Sequence, residues 1–377
     1  MSAPFRGLTW DHPRGFDALN RAGRQSGLVT WSKQPLEGFE SAPIAEICRH
    51  FDLVVLDHPH LGEAIASACL RPLDELFDSA DLARIEAGTV GPCFRSYSML
   101  GSQWALPLDA ATQVMALRSD LVEYAPADWE EVFAYAARTG KVALCVAGPH
   151  ALLSLVSIAA SLDADLDLAC GGWLKRQVAI EACEIFADLF ARTPPSVRDL
   201  NPITFLDRMT RCDEIALCPL VYGYVNYTSA AMAVSLTFRD APHARRGGRP
   251  GSTLGGTGIA ISARADVTPA LVSHLLWLMS SEAQREFIPR NHGQPSSREA
   301  WADRALSAPT HGFYGNTRRT IEQAAIRPRH AGFIKFQTAA SALLREACGE
   351  GRSARAIAET LDSMFRQSLP RHEGEPS

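Results

Sequence analysis

The nine cysteines of this sequence, at positions 48, 69, 93, 145, 170, 183, 212, 218 and 348, include no Cys-x-x-Cys pair, and nine is odd. That excludes the usual spacings of a zinc ribbon or a thioredoxin-like redox motif. Several lie in apolar runs and read as small buried hydrophobes in a reducing compartment. The chain also lacks a clean membrane-spanning run. Its longest apolar stretch, Val142 to Leu162, is interrupted by Gly148-Pro149-His150 and reads as strand, loop and buried helix. No excess of positive charge is present: the net charge is −5 and the pI about 6.1. There is therefore no electrostatic case for nucleic acid or an anionic membrane. The one basic cluster, Arg245-Arg246-Gly247-Gly248-Arg249, is flanked by Gly and Pro and reads as a solvated loop. Gly251 to Gly258 is glycine-rich but carries no Gly-Lys-Ser/Thr and leads into a strand, which excludes a phosphate loop. No Gly-x-Ser-x-Gly elbow occurs. A basic n-region, an apolar h-region and a small-residue cleavage site are all missing from Met1 to Arg6.

What is present is ordinary for a globular chain of two domains: 377 residues, 46% hydrophobic and 21% charged. A core of that size needs no disulfide staples. The informative feature is a pair of motifs at early strand ends, Trp10-Asp11-His12-Pro13 and Asp57-His58-Pro59-His60. The second follows the buried-strand run Phe51 to Leu56, and the first a short apolar approach from Phe5 to Leu8. Between them, Gly15 to Gln25 and Ser41 to His50 read as helices and Leu28 to Trp31 as a strand. This βαβ order predicts a parallel sheet, whose ligands sit at the carboxyl ends of the strands.

Further along, Gln103 to Leu108 is strand-like, and Asp128-Trp129-Glu130-Glu131 opens a helix with a capping box. Val142 to Val146 reads as a strand, Pro149 to Leu162 as a buried helix and Ala179 to Ala191 as an amphipathic one. Glu214 to Pro219 is a strand running into Leu220 to Tyr227. A linker at Ala244 to Gly251 precedes the strand-like Ser252 to Ser262, Pro269 to Ile288 reads as a long helix, and a polar tail follows Leu369.

In this order the elements resemble a type II periplasmic substrate-binding protein, the extracellular solute-binding family 1, maltose-binding-protein-like group. Trp104 to Asp109 with Arg118-Ser119-Asp120-Leu121 looks like that family's first crossover. Pro126 to Val132 looks like its "P-x-T-W-E-E" helix start, with Asp128 for the capping Thr. Gly255 to Ile261 looks like its return strand, and Phe287 to Gln294 its end-of-lobe segment. The resemblance implies an α/β, two-lobed fold with a central cleft. Lobe I would be 1–108 plus 252–296 and lobe II 109–251 plus 297–377. It implies capture of a small polar ligand for an ABC-type permease, in the periplasm. The bare start and the cysteine count lean instead toward the cytoplasm.

Strand ends and crossovers then nominate Trp10, Asp11, His12, Asp57, His58 and His60 from the first lobe and Asp109 at the first crossover. Tyr222, Tyr224, Asn226 and Tyr227 come from the second, where the family places aromatics over its ligand, with Gly255, Gly256 and Thr257 at the return strand and Arg329 and His330 at the rim. Aromatic faces with carboxylates suit a sugar or polyol, and equally an amine through cation–π contacts. The expected chemistry needs no cofactor. The alternative is a cytoplasmic enzyme on this scaffold, with His12 or His58 as base and Asp11 or Asp57 orienting it, or a divalent zinc, iron or manganese site from His58, His60, Asp11 and His12. Cys218 beside Pro219 is a further conceivable nucleophile, read first as a buried strand residue.

Overall fold

The computed structural model describes residues 3–169 and 171–370; Cys170 and the tail beyond residue 370 lie outside the described residues. The chain divides into two compact units. One runs to Thr112 and adds Tyr224–Ser229 and Leu254–Glu322; the other comprises Gln113–Gly223, Ala230–Thr253 and the chain from Gln323 onward. The sequence-based boundaries differ from these at several places. Residues 109–112 and 297–322 belong to the first unit, and so do Tyr224, Asn226 and Tyr227, all expected in the second, whereas Ser252 and Thr253, expected in the first, belong to the second.

Besides a short hairpin at Ser98–Met99 and Ser102–Gln103, the strands are β1 (Phe5–Trp10), β2 (Val29–Gln34), β3 (Leu53–Leu56), β4 (Leu106–Leu117), β5 (Leu217–Tyr222), β6 (Thr237–Arg239) and β7 (Leu254–Ile261). The helices used below are α1 (Pro13–Ser26), α2 (Leu36–Ser41), α3 (Ile44–His50), α4 (Leu61–Ala66), α5 (Trp129–Thr139), α6 (His150–Leu162), α7 (Arg176–Arg192), α8 (Pro202–Arg211), α9 (Pro269–Leu278), α10 (Phe333–Gly349) and α11 (Ala354–Ser368).

In the first unit β1 pairs in parallel with β2 and β3, as the βαβ order requires. β7 pairs antiparallel with β3, and Leu106–Thr112 of β4 pair antiparallel with β7. β3 is buried along its whole length, the mark of a sheet covered on both faces. A register shift between Pro107 and Asp109 lies opposite Gly258 and Thr257, next to Gly256, which pairs with Ala110. Gly256 has φ +84°, and a Cβ there would lie 2.4 Å from the Asp109 carbonyl oxygen. Only glycine tolerates both the left-handed backbone and that approach.

In the second unit Gln113–Leu117 of β4 pair antiparallel with both β5 and β6. Its core packs α5, α6, α7, α10 and α11 around residues such as Phe186, Phe333 and Phe365. α6 is buried nearly all round. Its three serines, Ser154, Ser157 and Ser161, recur at helical spacing and form one hydroxyl stripe.

The departures from the sequence reading have local causes. The helix expected over Ser41 to His50 breaks at Ala42, which is held extended because Pro43 follows it. Val142 to Val146 makes one bridge, Val142 to Leu217, and is not a strand. There the Leu144 N–H donates to the Thr193 hydroxyl (2.9 Å), not to a neighbouring strand. The long helix from Pro269 stops at Leu278, and Ser280 Oγ accepts the Ala283 N–H (3.2 Å) where a new turn begins. The start at Trp129 matches expectation: Asp128 accepts the Glu131 N–H (2.9 Å), and the Glu131 carboxylate reaches back to the Ala127 N–H (2.7 Å).

Candidate ligand-binding site

The carboxyl ends of β1 and β3 and the bend in β4 bring the first unit's polar residues together, and most of them are engaged with one another. Arg14, in the first turn of α1, forms a bidentate ion pair with Asp109: Nε to Oδ2 at 2.7 Å and Nη2 to Oδ1 at 2.5 Å. Their side chains are only 4% and 5% exposed, so this pair lies within the unit. The Arg14 guanidinium lies 4.6 Å from the Tyr224 ring centroid, a cation–π geometry. Burial pushes the Asp109 carboxyl up, against the downward pull of Arg14, and Asp109 in turn raises Arg14. Burial and the Asp109 charge hold the Tyr314 hydroxyl above its ordinary range. We assign the couple as an ion pair because its fork geometry meets both carboxylate oxygens.

His12 is the N-cap of α1: its Nδ1 accepts the Arg14 N–H at 3.1 Å. The ring meets Tyr224 edge-on at 4.9 Å. Burial, then the Arg14 charge, lowers its pKa to about 4, so His12 is neutral at pH 7. Trp10 is buried at 3% exposure, against Phe39, and its indole N–H has no partner. The space beside it is closed by Gly15, where a Cβ would stand 2.4 Å from the indole.

At the second motif Asp57 caps a short turn, accepting the His58 N–H at 2.9 Å. His58 is fully buried with its ring edge toward Tyr97, and His60 is 3% exposed. Tyr227 is buried, and Asn226 donates to the His292 carbonyl at 3.1 Å. Thr257 is buried with its hydroxyl unpartnered. Asp11 is the exposed member, 53% accessible and paired with Lys33 at 2.7 Å.

The second unit holds Tyr222 and Arg329. The Tyr222 hydroxyl lies 3.3 Å from Thr253 Oγ1, and its ring packs edge-on to His150 at 5.8 Å. Arg329 reaches the Ala169 carbonyl at 3.5 Å. Behind Tyr222 lies a neutral network. Ser157 donates to Gln113 Oε1 (2.6 Å), Gln113 Nε2 donates to Ser154 (3.2 Å), and the Thr253 N–H donates to Ser157 (2.8 Å).

Burial and pairing qualify the strand-end set in three respects. First, Trp10, His58, His60, Asp109, Tyr224, Tyr227 and Thr257 are all buried within the first unit. Second, the side chains of the metal alternative are engaged separately. Asp11 pairs with Lys33, His12 caps α1, His58 and His60 are buried, and among the described residues no group of three or more His, Cys, Asp or Glu could hold a metal ion. Third, Cys218 is fully buried in β5 with its thiol pushed up to about 12, which makes it inert as a nucleophile. The histidines proposed as its base, His12 and His58, belong to the other unit. Sequence reasoning missed Arg14, Tyr314 and Gln294. Gln294 ties the unit together by donating to the Ala110 carbonyl (2.6 Å) and accepting the Val225 N–H (3.1 Å). Arg14 carried a signal: with Ala18 and Ala22 it falls on the buried stripe of α1, where an arginine requires a partner.

No protein-family model and no curated protein matches the sequence. Solved structures do. The fold is the α/β fold of the two-lobed ABC-transporter solute-binding proteins. A solute-binding protein from Thermotoga lettingae, bound with α-D-tagatose, is similar at TM-score 0.80 and 12% identity, over 98% of this chain and 100% of that one. One from Agrobacterium radiobacter, in complex with ribitol, reaches TM-score 0.77 at 18% identity, over 97% and 98%. Another, from Agrobacterium vitis with bound D-mannitol, reaches 0.74 at 15%, over 97% and 98%.

Proposed function

We propose that this chain is a solute-binding protein that captures a small uncharged polyol or sugar for an ABC-type uptake permease, and is not an enzyme. The observation that carries the reading is the end-to-end fold likeness to binding proteins solved with ribitol, tagatose and mannitol. The local chemistry is compatible with it. Asp11, Asp57 and Asn226 offer acceptors and donors for hydroxyls at the strand ends of the first unit, and Tyr222 offers a half-buried aromatic face in the second. The buried arginine of the first unit's strand-end cluster, Arg14, is already neutralised by Asp109 and His12 is uncharged, which favours a neutral ligand over an anion. Among the described residues no helix is long and apolar enough to cross a membrane. Capture for uptake places the chain on the outer side of the membrane it serves, contrary to the cytoplasmic leaning drawn from its cysteines.

The test is calorimetric titration of the purified, ligand-stripped protein with ribitol, D-mannitol, D-tagatose and maltose, alongside thermal shift. A ligand at about 100 times its Kd stabilises by about 2.7 kcal/mol, a shift readily seen. At least one of these ligands is expected to bind, with Asp57→Asn and Asn226→Ala weakening it about tenfold or more. Absence of binding across the panel, together with turnover of any of them, would replace this reading with the enzyme.

A further inference from the structure

α4 ends in a Schellman motif built without glycine. The Ala68 N–H donates to the Ile65 carbonyl (3.0 Å) and the Cys69 N–H to the Ala64 carbonyl (3.1 Å). Ala68, at the position where glycine is usual, has φ +49°. The motif turns Cys69 back toward the core, where it packs on the cluster holding Cys48, Ala64 and Leu70. Two consecutive residues after β7 fasten both cysteines. Ser262 Oγ donates to the Cys48 carbonyl (2.9 Å), and the Ala263 N–H donates to the Cys69 carbonyl (2.9 Å). Both side chains thus pack in one cluster, their carbonyls held by neighbouring residues of one segment. They differ in access: Cys48, on α3, is 3% exposed, whereas Cys69 is partly open beside the exposed Ala66, Ser67 and Ala68.

We propose that Cys48 and Cys69 are a site of covalent modification, an intramolecular disulfide made by exchange with a small or protein disulfide, Cys69 being attacked or attacking first. The Cys48 and Ser67 hydrogen bonds lower the Cys69 thiol to about 7, giving thiolate at neutral pH, while the Cys48 thiol is held up. The Cys69 thiolate, its proton lost to water, attacks one sulfur of the oxidant and expels the other as a thiolate. Cys48 then attacks the Cys69 sulfur of that mixed disulfide, and its proton passes to the second departing thiolate. Two protein thiols are oxidised and one disulfide is reduced to two thiols. The bond would tie α3 to the turn after α4, across β3, restraining the unfolded chain.

Trypsin separates the partners, because cleavage after Lys33 and Arg49 isolates Cys48 in one peptide, and Cys69 falls in the peptide from His50, with Arg71 protected by Pro72. The full-length protein is incubated with oxidised glutathione, denatured, thiol-titrated and mapped without reduction. The expected result is two fewer thiols than the nine of the reduced chain, one linked peptide pair lighter by two hydrogens than its parts, and an unfolding temperature that falls on adding dithiothreitol. Cys69→Ser, a change at a partly exposed site, is expected to abolish the linked pair and the reductant effect, leaving Cys48 unmodified. Cys48→Ser is expected to leave a stable glutathione adduct on Cys69 instead. Retention of all nine thiols, or a linkage joining either residue to a different cysteine, overturns the proposal. None of these readouts involves ligand, so they stand apart from the solute-binding reading.

Discussion

Two buried polar clusters, one in each unit, are held together by opposite means. The first uses full charges: Arg14 against Asp109, roofed by Tyr224. The second uses neutral groups: Gln113, Ser154, Ser157 and Thr253, each fully buried and bonded to the next. The difference lies in what happens when one partner is removed. A buried charge left alone costs about 3–5 kcal/mol, whereas an orphaned amide or hydroxyl costs about 1–3 kcal/mol. The Arg14–Asp109 cluster is thus the more brittle of the two.

The comparison breaks most visibly at Arg14. Arg14→Met leaves Asp109 buried without its cation and is expected to cost about 3–5 kcal/mol in urea unfolding. Adding Asp109→Leu to it should recover most of that loss, because the pair then becomes an apolar contact. A double variant as unstable as the single one would mean the charges contribute net stability. The next effect is on pH. His12 titrates at about 4 in the fold against 6.5 in the unfolded chain. Above pH 6.5 both states are neutral and nothing is lost. As the pH falls toward 4 the unfolded chain takes up the proton first, and stability declines by at most about 3 kcal/mol, less whatever solvent screens at the partly exposed ring. His12→Asn keeps an N-cap acceptor and should flatten that decline relative to wild type, read as unfolding midpoints at pH 4 and pH 7. The smallest change belongs to the second unit, where Gln113→Leu should cost about 1–3 kcal/mol and show no added pH dependence. A cost equal to that of Arg14→Met would erase the contrast.

Much of the scaffold was legible. The run Leu53 to Leu56, the cap at Asp128 and the buried helix ending at Leu162 follow from composition and spacing alone, since each depends on neighbours within a few residues. The strand-end motifs were legible as polar clusters, but the local contacts of their residues were not. Asp57 and His12 cap turns and helices, and His58 and His60 point into the unit. A capping histidine and a ligand-facing one look the same in sequence, because the distinction is which atoms of the rest of the chain arrive beside the ring. Tyr222 and Tyr224, two residues apart, fall in different units for a similar reason. Alternation tells which way a side chain points but not which core receives it.

The sequence by itself determined the α/β class, the order of strands and helices and the absence of charge or motif for nucleic acid or nucleotide. These depend on local periodicity and on composition, which no partner is needed to read. Tertiary structure alone decided that Arg14 answers Asp109 across 95 positions, that Gln113 closes a hydroxyl network with Ser157 and Thr253, and that Cys48 meets Cys69. Each is a contact between groups whose burial is tolerable only because a distant partner satisfies them, and distance along the chain carries no record of such a partner.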